Sequence, residues 1–103
     1  MRFEFSAVLW RWAARTELWT FVSVPEDASA EIAELAETLP RAGFGAVRVD
    51  ATIGGTRWRS SIFPVDDPSA GGSYSLPVSA RIRKREGLDL GDTVRVAIEL
   101  VDF

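Results

Sequence analysis

The sequence predicts a mainly β protein, a small barrel or highly curved sheet of about six strands with two short helices. Apolar and polar residues alternate along most of the chain, as is typical of half-buried strands. Only two segments show the periodicity of a helix. Most neighbouring strands are joined by connections shorter than the crossovers of parallel βαβ units. Its 103 residues suffice for one core, so we expect a single domain over residues 1–103.

Two strands are predicted at the N-terminal end. Residues 2–11 alternate, and one face carries Phe3, Phe5, Ala7 and Leu9. Trp10 and Trp12 have the other parity, so the chain either changes strand partners there or carries a second apolar patch. Residues 18–24 are β-branched and aromatic, and Pro25 ends that strand.

A helix follows, which Asp27 or Ser29 can cap. Its apolar residues recur at i, i+3, i+4 and i+7: Ile32, Leu35, Ala36 and Leu39. Pro40 closes it. A stripe of three glutamates lines its other side: Glu31, Glu34 and Glu37. No oxygen-rich loop of the calcium-binding type accompanies the stripe, so we interpret it as a solvated face.

A β-hairpin is predicted around Gly54 and Gly55, which form a two-residue turn of the kind that needs positive φ. Its strands are residues 46–53 and 56–63. In such a hairpin the numbers of paired residues have a constant sum, which gives the register: Ile53–Thr56, Thr52–Arg57, Ala51–Trp58, Asp50–Arg59, Val49–Ser60 and Val47–Ile62.

This register assigns roles within the sequence Arg57-Trp58-Arg59. Trp58 lies on the inner face opposite Ala51, which is small enough to leave room for an indole. Both arginines point outwards, and Arg59 lies opposite Asp50, so a cross-strand ion pair is expected. Arg57 has no such partner, and it is therefore the arginine that we expect to meet a ligand.

The C-terminal part predicts a short strand over residues 73–76, a second helix and a last strand over residues 93–101. Ser79 caps the helix, which runs through Glu86, and Gly87 lies just past its end.

One face of that second helix is cationic, because Arg81, Lys84 and Arg85 stand at i, i+3 and i+4. Two interpretations remain open. The face is either a solvated surface favoured by the helix dipole, or a patch that binds phosphate.

Composition excludes several classes of function. The chain has neither cysteine nor histidine, which removes disulfides, thiolate chemistry, the usual zinc ligands and the usual proton carrier near neutral pH. No activated nucleophile and no cofactor site is visible. No leader or membrane-spanning run appears, so we expect a cytoplasmic protein without a membrane partner. The arginine bias, with a single lysine, is typical of a GC-rich bacterial genome.

The four tryptophans exceed what a small core usually needs. Trp10 and Trp12 share a strand face and could line a cleft or a dimer contact, whereas Trp19 is expected in the core. We expect a monomer or a homodimer.

Three segments carry a resemblance that covers nearly the whole chain: "LWTFVSVPEDASAEI", "GFGAVRVDATIGGTRWRSSIFP" and "GSYSLPVSARIRKREGLDLGDTVRVAIEL". Together they resemble the bacterial domain of unknown function numbered nineteen hundred and five. The resemblance implies a double-split β-barrel related to the AbrB and MazE group, with the turn at Gly91 and Asp92 as a GD box. It implies no established activity. Where relatives often have a lysine after "LPV", this chain has Ser79 and Ala80.

Our leading hypothesis is a non-catalytic binding module whose small anionic ligand or protein partner contacts the basic residues of the C-terminal half: Arg57, Arg81, Lys84 and Arg85. The alternative is a DNA-binding regulator of the AbrB or antitoxin type. The net charge of −3 argues against a nucleic acid partner, because duplex binding usually shows a broad basic footprint. An enzyme comes third, because no convergent catalytic set is visible.

Overall fold

The computed structural model describes residues 1–11, 20–36, 46–64 and 74–101. These residues form seven strands and two helices: β1 (Arg2–Val8), β2 (Trp10–Arg11), β3 (Thr20–Val24), α1 (Glu26–Ala36), β4 (Val47–Ile53), β5 (Thr56–Pro64), β6 (Tyr74–Val78), α2 (Ala80–Glu86) and β7 (Thr93–Leu100). The predicted mainly β fold is confirmed. The strand count exceeds the predicted six because the first predicted strand is broken at Leu9.

The strands form one antiparallel sheet in the order β1-β7-β4-β5-β6-β3-β2. Since β1 and β2 are consecutive pieces of one segment yet pair at opposite edges, the sheet curls back on itself and is barrel-like. Leu9 lies at this junction. Its N–H donates to the Asp92 carbonyl at 2.9 Å, and its own carbonyl accepts from the Gly91 N–H at 2.9 Å. Of the two alternatives for Trp10, a change of strand partner is therefore confirmed.

The core lies on the concave side of this sheet. On β4 it takes alternate residues, and Val49 and Ala51 are wholly buried. Phe5 and Leu9 are buried from the N-terminal segment, and Phe3 and Ala7 pack against them, as the parity predicts. On β1 and β4 alternation thus decides which side faces solvent, whereas consecutive residues are buried on β3 and β6.

The hairpin of β4 and β5 has the predicted register at every one of the six pairs. Gly54 has φ +57°, whereas Gly55 does not have positive φ. Positive φ at the first turn position but not at the second is the pattern of a type II′ turn, whose twist suits a hairpin.

The start of α1 differs from the prediction. The first helical hydrogen bond runs from the Ser29 N–H to the Pro25 carbonyl at 2.8 Å, so the helix begins directly after Pro25. Neither predicted cap is correct. The Ser29 hydroxyl is buried and donates to the Val24 carbonyl at 3.1 Å, and within the described part of the chain the Asp27 carboxylate accepts only from the adjacent Ala28 N–H. Leu39 and Pro40 lie outside the described residues.

Both ends of α2 are as predicted. The Ser79 hydroxyl accepts a hydrogen bond from the Ile82 N–H at 3.3 Å. Gly87 adopts φ +65° and donates its N–H to the Arg83 carbonyl, as a left-handed helix end requires. Ile82 is 1% exposed and anchors the helix to the barrel. This short helix is thus positioned by one buried side chain and two well-formed ends.

Candidate functional site

A hydrogen-bonded charge cluster lies on the outer face of the β4–β5 hairpin, where two arginines share one carboxylate. Arg59 donates from Nε to Asp50 Oδ1 at 3.0 Å and from Nη2 to Oδ2 at 3.3 Å. Arg57 donates from Nη2 to the same Oδ2 at 3.2 Å. The predicted Asp50–Arg59 pair is confirmed.

The expectation that Arg57 has no ion-pair partner is wrong. The register places Thr52 directly opposite it, but its long side chain reaches one step diagonally to Asp50. A long side chain can reach a diagonal neighbour on the adjacent strand. The prediction considered only the residue directly opposite. The two contacts nevertheless differ, because Arg59 makes a two-bond fork and Arg57 a single bond.

The cluster carries an excess of positive charge. One carboxylate faces two guanidiniums, whose side chains are 59% and 56% exposed for Arg57 and Arg59. The hydrogen bond from Arg59 is the largest cause that holds the pKa of Asp50 below its ordinary value of 3.8, and the Arg57 hydrogen bond and both positive charges add to it, against partial desolvation. Asp50 is therefore ionised at neutral pH and orients both guanidiniums.

Neighbouring outward residues extend the charge pattern. Arg48 precedes Asp50 on the outer face of β4 and is exposed, whereas Glu99 of β7 pairs with Asp50 across the sheet. Two carboxylates in direct cross-strand pairing repel one another. The arginines beside Asp50 offset that repulsion, which gives their pairing a structural role as well.

The second predicted cluster is the cationic face of α2, where Arg81, Lys84 and Arg85 are all exposed. None of them forms an ion pair within the described residues. None of the three lies on the side of α2 that packs on the barrel. That side is marked by Ile82 and, one turn later, by Glu86.

The hairpin and α2 meet around the Glu86 carboxylate. The Thr56 hydroxyl donates to Glu86 Oε2 at 2.6 Å, and the same carboxylate covers Gly54. Arg57 and Arg85 are therefore each one residue away from this junction. The Arg57 side chain leans towards Asp50, which lies further from the turn than Thr52, so its guanidinium points away from the junction. The structure thus places the predicted cations in two clusters whose backbones meet.

Two of the four tryptophans, Trp10 and Trp58, lie in the described residues. Trp58 is half-buried and packs against the core opposite Ala51, as predicted. Trp10 stacks on Phe21 with ring centroids 5.0 Å apart, and its indole N–H donates to the Ser23 hydroxyl at 3.0 Å. Trp12 and Trp19 lie outside the described residues, so the predicted Trp10–Trp12 cleft stays a prediction.

The sequence reasoning missed a groove between β1 and α1. It has a volume of about 400 Å³ and is lined by Phe3, Glu4, Phe5, Ser6, Pro25, Asp27, Ala28 and Glu31. Alternation and helical period assign faces within each element, but they do not say that α1 lies beside β1. The available signal was Pro25, because a proline at the end of a strand prevents continued pairing there.

No group of three carboxylates in the described residues is arranged to hold a metal ion. Glu31 and Glu34 are exposed, and Glu37 lies outside the described residues. Glu31 and Glu34 thus offer solvated charge.

Comparison with known proteins gives one family. The sequence model of a domain of unknown function, DUF1905, matches residues 5–98. The chain belongs to the DUF1905 family. A comparison with curated proteins finds no match. Within the described part of this DUF1905 chain, neither helix has the length and apolar character that crossing a membrane would take. The implied relation to the AbrB and MazE group stays a prediction.

Proposed function

We propose that this DUF1905 domain is a non-catalytic binding module for a small anionic ligand. The observation that carries the proposal is the shared carboxylate: Asp50 is satisfied by the two-bond fork of Arg59, so Arg57 is a second, single-bonded and mostly exposed guanidinium beside it. A planar guanidinium with N–H groups left over is the side chain best suited to a phosphate or carboxylate.

Arg57 can turn from Asp50 to a ligand at small cost. It gives up one hydrogen bond to a carboxylate that keeps two others, and it gains charge-assisted hydrogen bonds to an anion. Arg59 stays in place and adds its positive charge. The site therefore needs no rearrangement of the backbone.

The cationic face of α2 is the second part of the proposed surface. Arg57 follows Thr56 and Arg85 precedes Glu86, so the backbones that carry them meet at this contact. Once Arg57 has turned from Asp50, a ligand with more than one anionic group can extend from the hairpin towards α2. Arg81 and Lys84 continue the positive charge along the helix. The ligand class is thus a small molecule with one or two phosphate or carboxylate groups.

Thermal unfolding across a panel of anions tests the proposal. Chloride, sulfate, phosphate and pyrophosphate are compared at matched ionic strength, because a ligand that prefers the folded state raises the melting temperature by mass action. We expect pyrophosphate to raise it most. Replacing Arg81, Lys84 and Arg85 together by glutamine should remove most of that increment, yet change the free energy of unfolding without ligand by no more than about 0.5 kcal/mol.

A matched control is Arg2→Gln, which removes one exposed arginine from the edge strand β1, separated from the hairpin by β7. It should leave the pyrophosphate increment unchanged, whereas Arg57→Gln should reduce it. Equal responses of the wild type, Arg57→Gln and the triple variant would reject the surface as an anion site. Tight, sequence-selective binding of duplex DNA would instead support the AbrB-like alternative.

A further inference from the structure

The groove between β1 and α1 follows from an unpaired strand edge. β1 pairs only with β7 in the described sheet; on its other side β3 lies nearby, and residues 3–6 line the groove with α1. The hydrogen bonds at both ends of this ladder, from the Leu100 N–H to the Met1 carbonyl and from the Leu9 N–H to the Asp92 carbonyl, fix its parity. Odd-numbered residues of the segment bond to the β7 side. The backbone N–H and carbonyl groups of Glu4 and Ser6 therefore point towards the groove.

The chain itself explains why this edge is open. If the register of β2 with β3 continued into β1, Ala7 would lie opposite Val24 and Ser6 opposite Pro25. Pro25 has no N–H to donate, and the chain turns there into α1. β3 thus ends before it can pair with the backbone N–H and carbonyl groups of Ser6 and Glu4 that point towards the groove. Neither residue has a backbone partner on that side among the described residues.

The lining of the groove defines the chemistry of its occupant. Phe3, Phe5, Pro25 and Ala28 contribute apolar surface, and the charged residues that line it are all acidic: Glu4, Asp27 and Glu31. No basic residue lines it within the described part of the chain. Glu4 has one weak ion pair, with Arg2 at 3.9 Å, and both side chains are about half exposed. A backbone edge beside apolar surface and three carboxylates is complementary to an extended segment of alternating apolar and basic residues.

We propose that the edge of β1 binds an extended basic peptide by strand addition, in the groove beside α1. The peptide runs along Glu4 and Ser6 and exchanges backbone hydrogen bonds with them, as in known cases of β-augmentation. Its apolar side chains contact the Phe3 side of the groove, and its lysines or arginines face Glu4, Asp27 and Glu31. The partner is thus a protein with such a segment, and the site is distinct from the anion surface on the hairpin and α2.

Fluorescence anisotropy with labelled heptapeptides tests the proposal on the wild-type protein. The first probe alternates valine and lysine, and the second alternates valine and glutamate. We expect the lysine probe to bind roughly tenfold more tightly at low salt, since three exposed ion pairs each contribute a little and are screened by added salt. Equal binding of both probes, or saturation by neither, would overturn the proposal.

Backbone pairing is tested with two further probes of the same sequence. In one the even-numbered residues carry N-methyl groups, and in the other the odd-numbered residues carry them. Only alternate N–H groups of an added strand face its neighbour, so one probe should lose binding and the other should keep it. If both bound like the unmodified probe, the contact would not be a strand and the proposal would fail.

Variants then locate the site. Ser6→Pro removes an N–H that faces the groove but no bond of the β1–β7 ladder, so the fold should persist and the lysine probe should be lost. Glu31→Lys should weaken binding, whereas Glu34→Lys, an exposed position on α1 that does not line the groove, is the matched control and should have little effect. Equal losses at both positions would refute a local site. Concentration-dependent dimers that Ser6→Pro abolishes would assign the edge to a second copy of this chain and overturn the peptide proposal.

Discussion

Replacing Gly54 by alanine is expected to destabilise the fold through two separate effects. Gly54 has φ +57°, a conformation that costs a residue with a Cβ about 1–2 kcal/mol. The added Cβ would also collide with Glu86 Oε1, which covers the glycine. The carboxylate must then move, and its hydrogen bond with the buried Thr56 hydroxyl is lost.

The two effects add to a measurable loss of stability. A hydrogen bond to a charged group contributes about 1.5–3 kcal/mol when it is well buried, and we take about 1 kcal/mol because Glu86 is only half-buried. With the backbone term, Gly54→Ala should cost about 2–3 kcal/mol, which corresponds to a melting temperature lower by roughly 10 °C or more in a domain of this size.

Urea unfolding followed by tryptophan fluorescence measures this loss. Gly55→Ala is the matched control, because Gly55 lacks positive φ and its Cβ would meet nothing within 4 Å; it should change stability by no more than about 0.5 kcal/mol. Thr56→Val alone should cost about 1 kcal/mol, and the double variant should cost less than the sum, since both changes remove the same bond. Equal effects at the two glycines, or full additivity, would refute the proposed coupling of hairpin and α2.

Three further changes have expected outcomes. Ile82→Ala removes the 1% exposed anchor of α2 and should lower the free energy of unfolding by about 2–4 kcal/mol in the same urea assay, and a loss under 1 kcal/mol would mean that α2 does not depend on it. Ser79→Ala removes the N-cap bond to the Ile82 N–H and should cost about 1 kcal/mol, whereas an unchanged stability would show that the cap is not formed in solution. Asp50 has a lowered pKa in the folded state, so its stabilising contribution is fully present above its ordinary pKa of 3.8 and is lost as the pH falls through the lowered value. Melting temperatures of the wild type and Asp50→Asn should therefore differ at neutral pH and converge in acid, and a constant difference would contradict the assigned cause.

Much of the fold follows from local patterns. Hairpin register was predictable at all six pairs because a two-residue turn fixes it, and both ends of α2 were predictable because Ser79 and Gly87 act within one turn of chain. The residue that caps the start of α1 could not be predicted in the same way. A serine near a helix start can cap it or lie beneath it, and only the packing of α1 on β3 shows that Ser29 is buried.

Prediction of the candidate sites was weaker for a related reason. The register of a hairpin gives only the residue directly opposite on the neighbouring strand. It therefore identified Asp50 as the partner of Arg59, but it did not show that Arg57 reaches diagonally to the same carboxylate. The open edge of β1 depends on where β3 ends and on where α1 then lies, which are contacts between segments far apart in the sequence. Charge type is visible in a sequence, whereas the partner of each charge is set by three-dimensional packing.

The most direct test of the proposed anion surface is an NMR titration with pyrophosphate at constant ionic strength. The Nε–H signals of Arg57 and Arg59 and the backbone amides of residues 81–85 report separately on the hairpin and on α2. The proposal predicts saturable shifts, largest for the Arg57 signal, and little change for Arg2, which lies on β1 with β7 between it and the hairpin. Shifts that grow without saturation, or that are equal at Arg57 and Arg2, would contradict it.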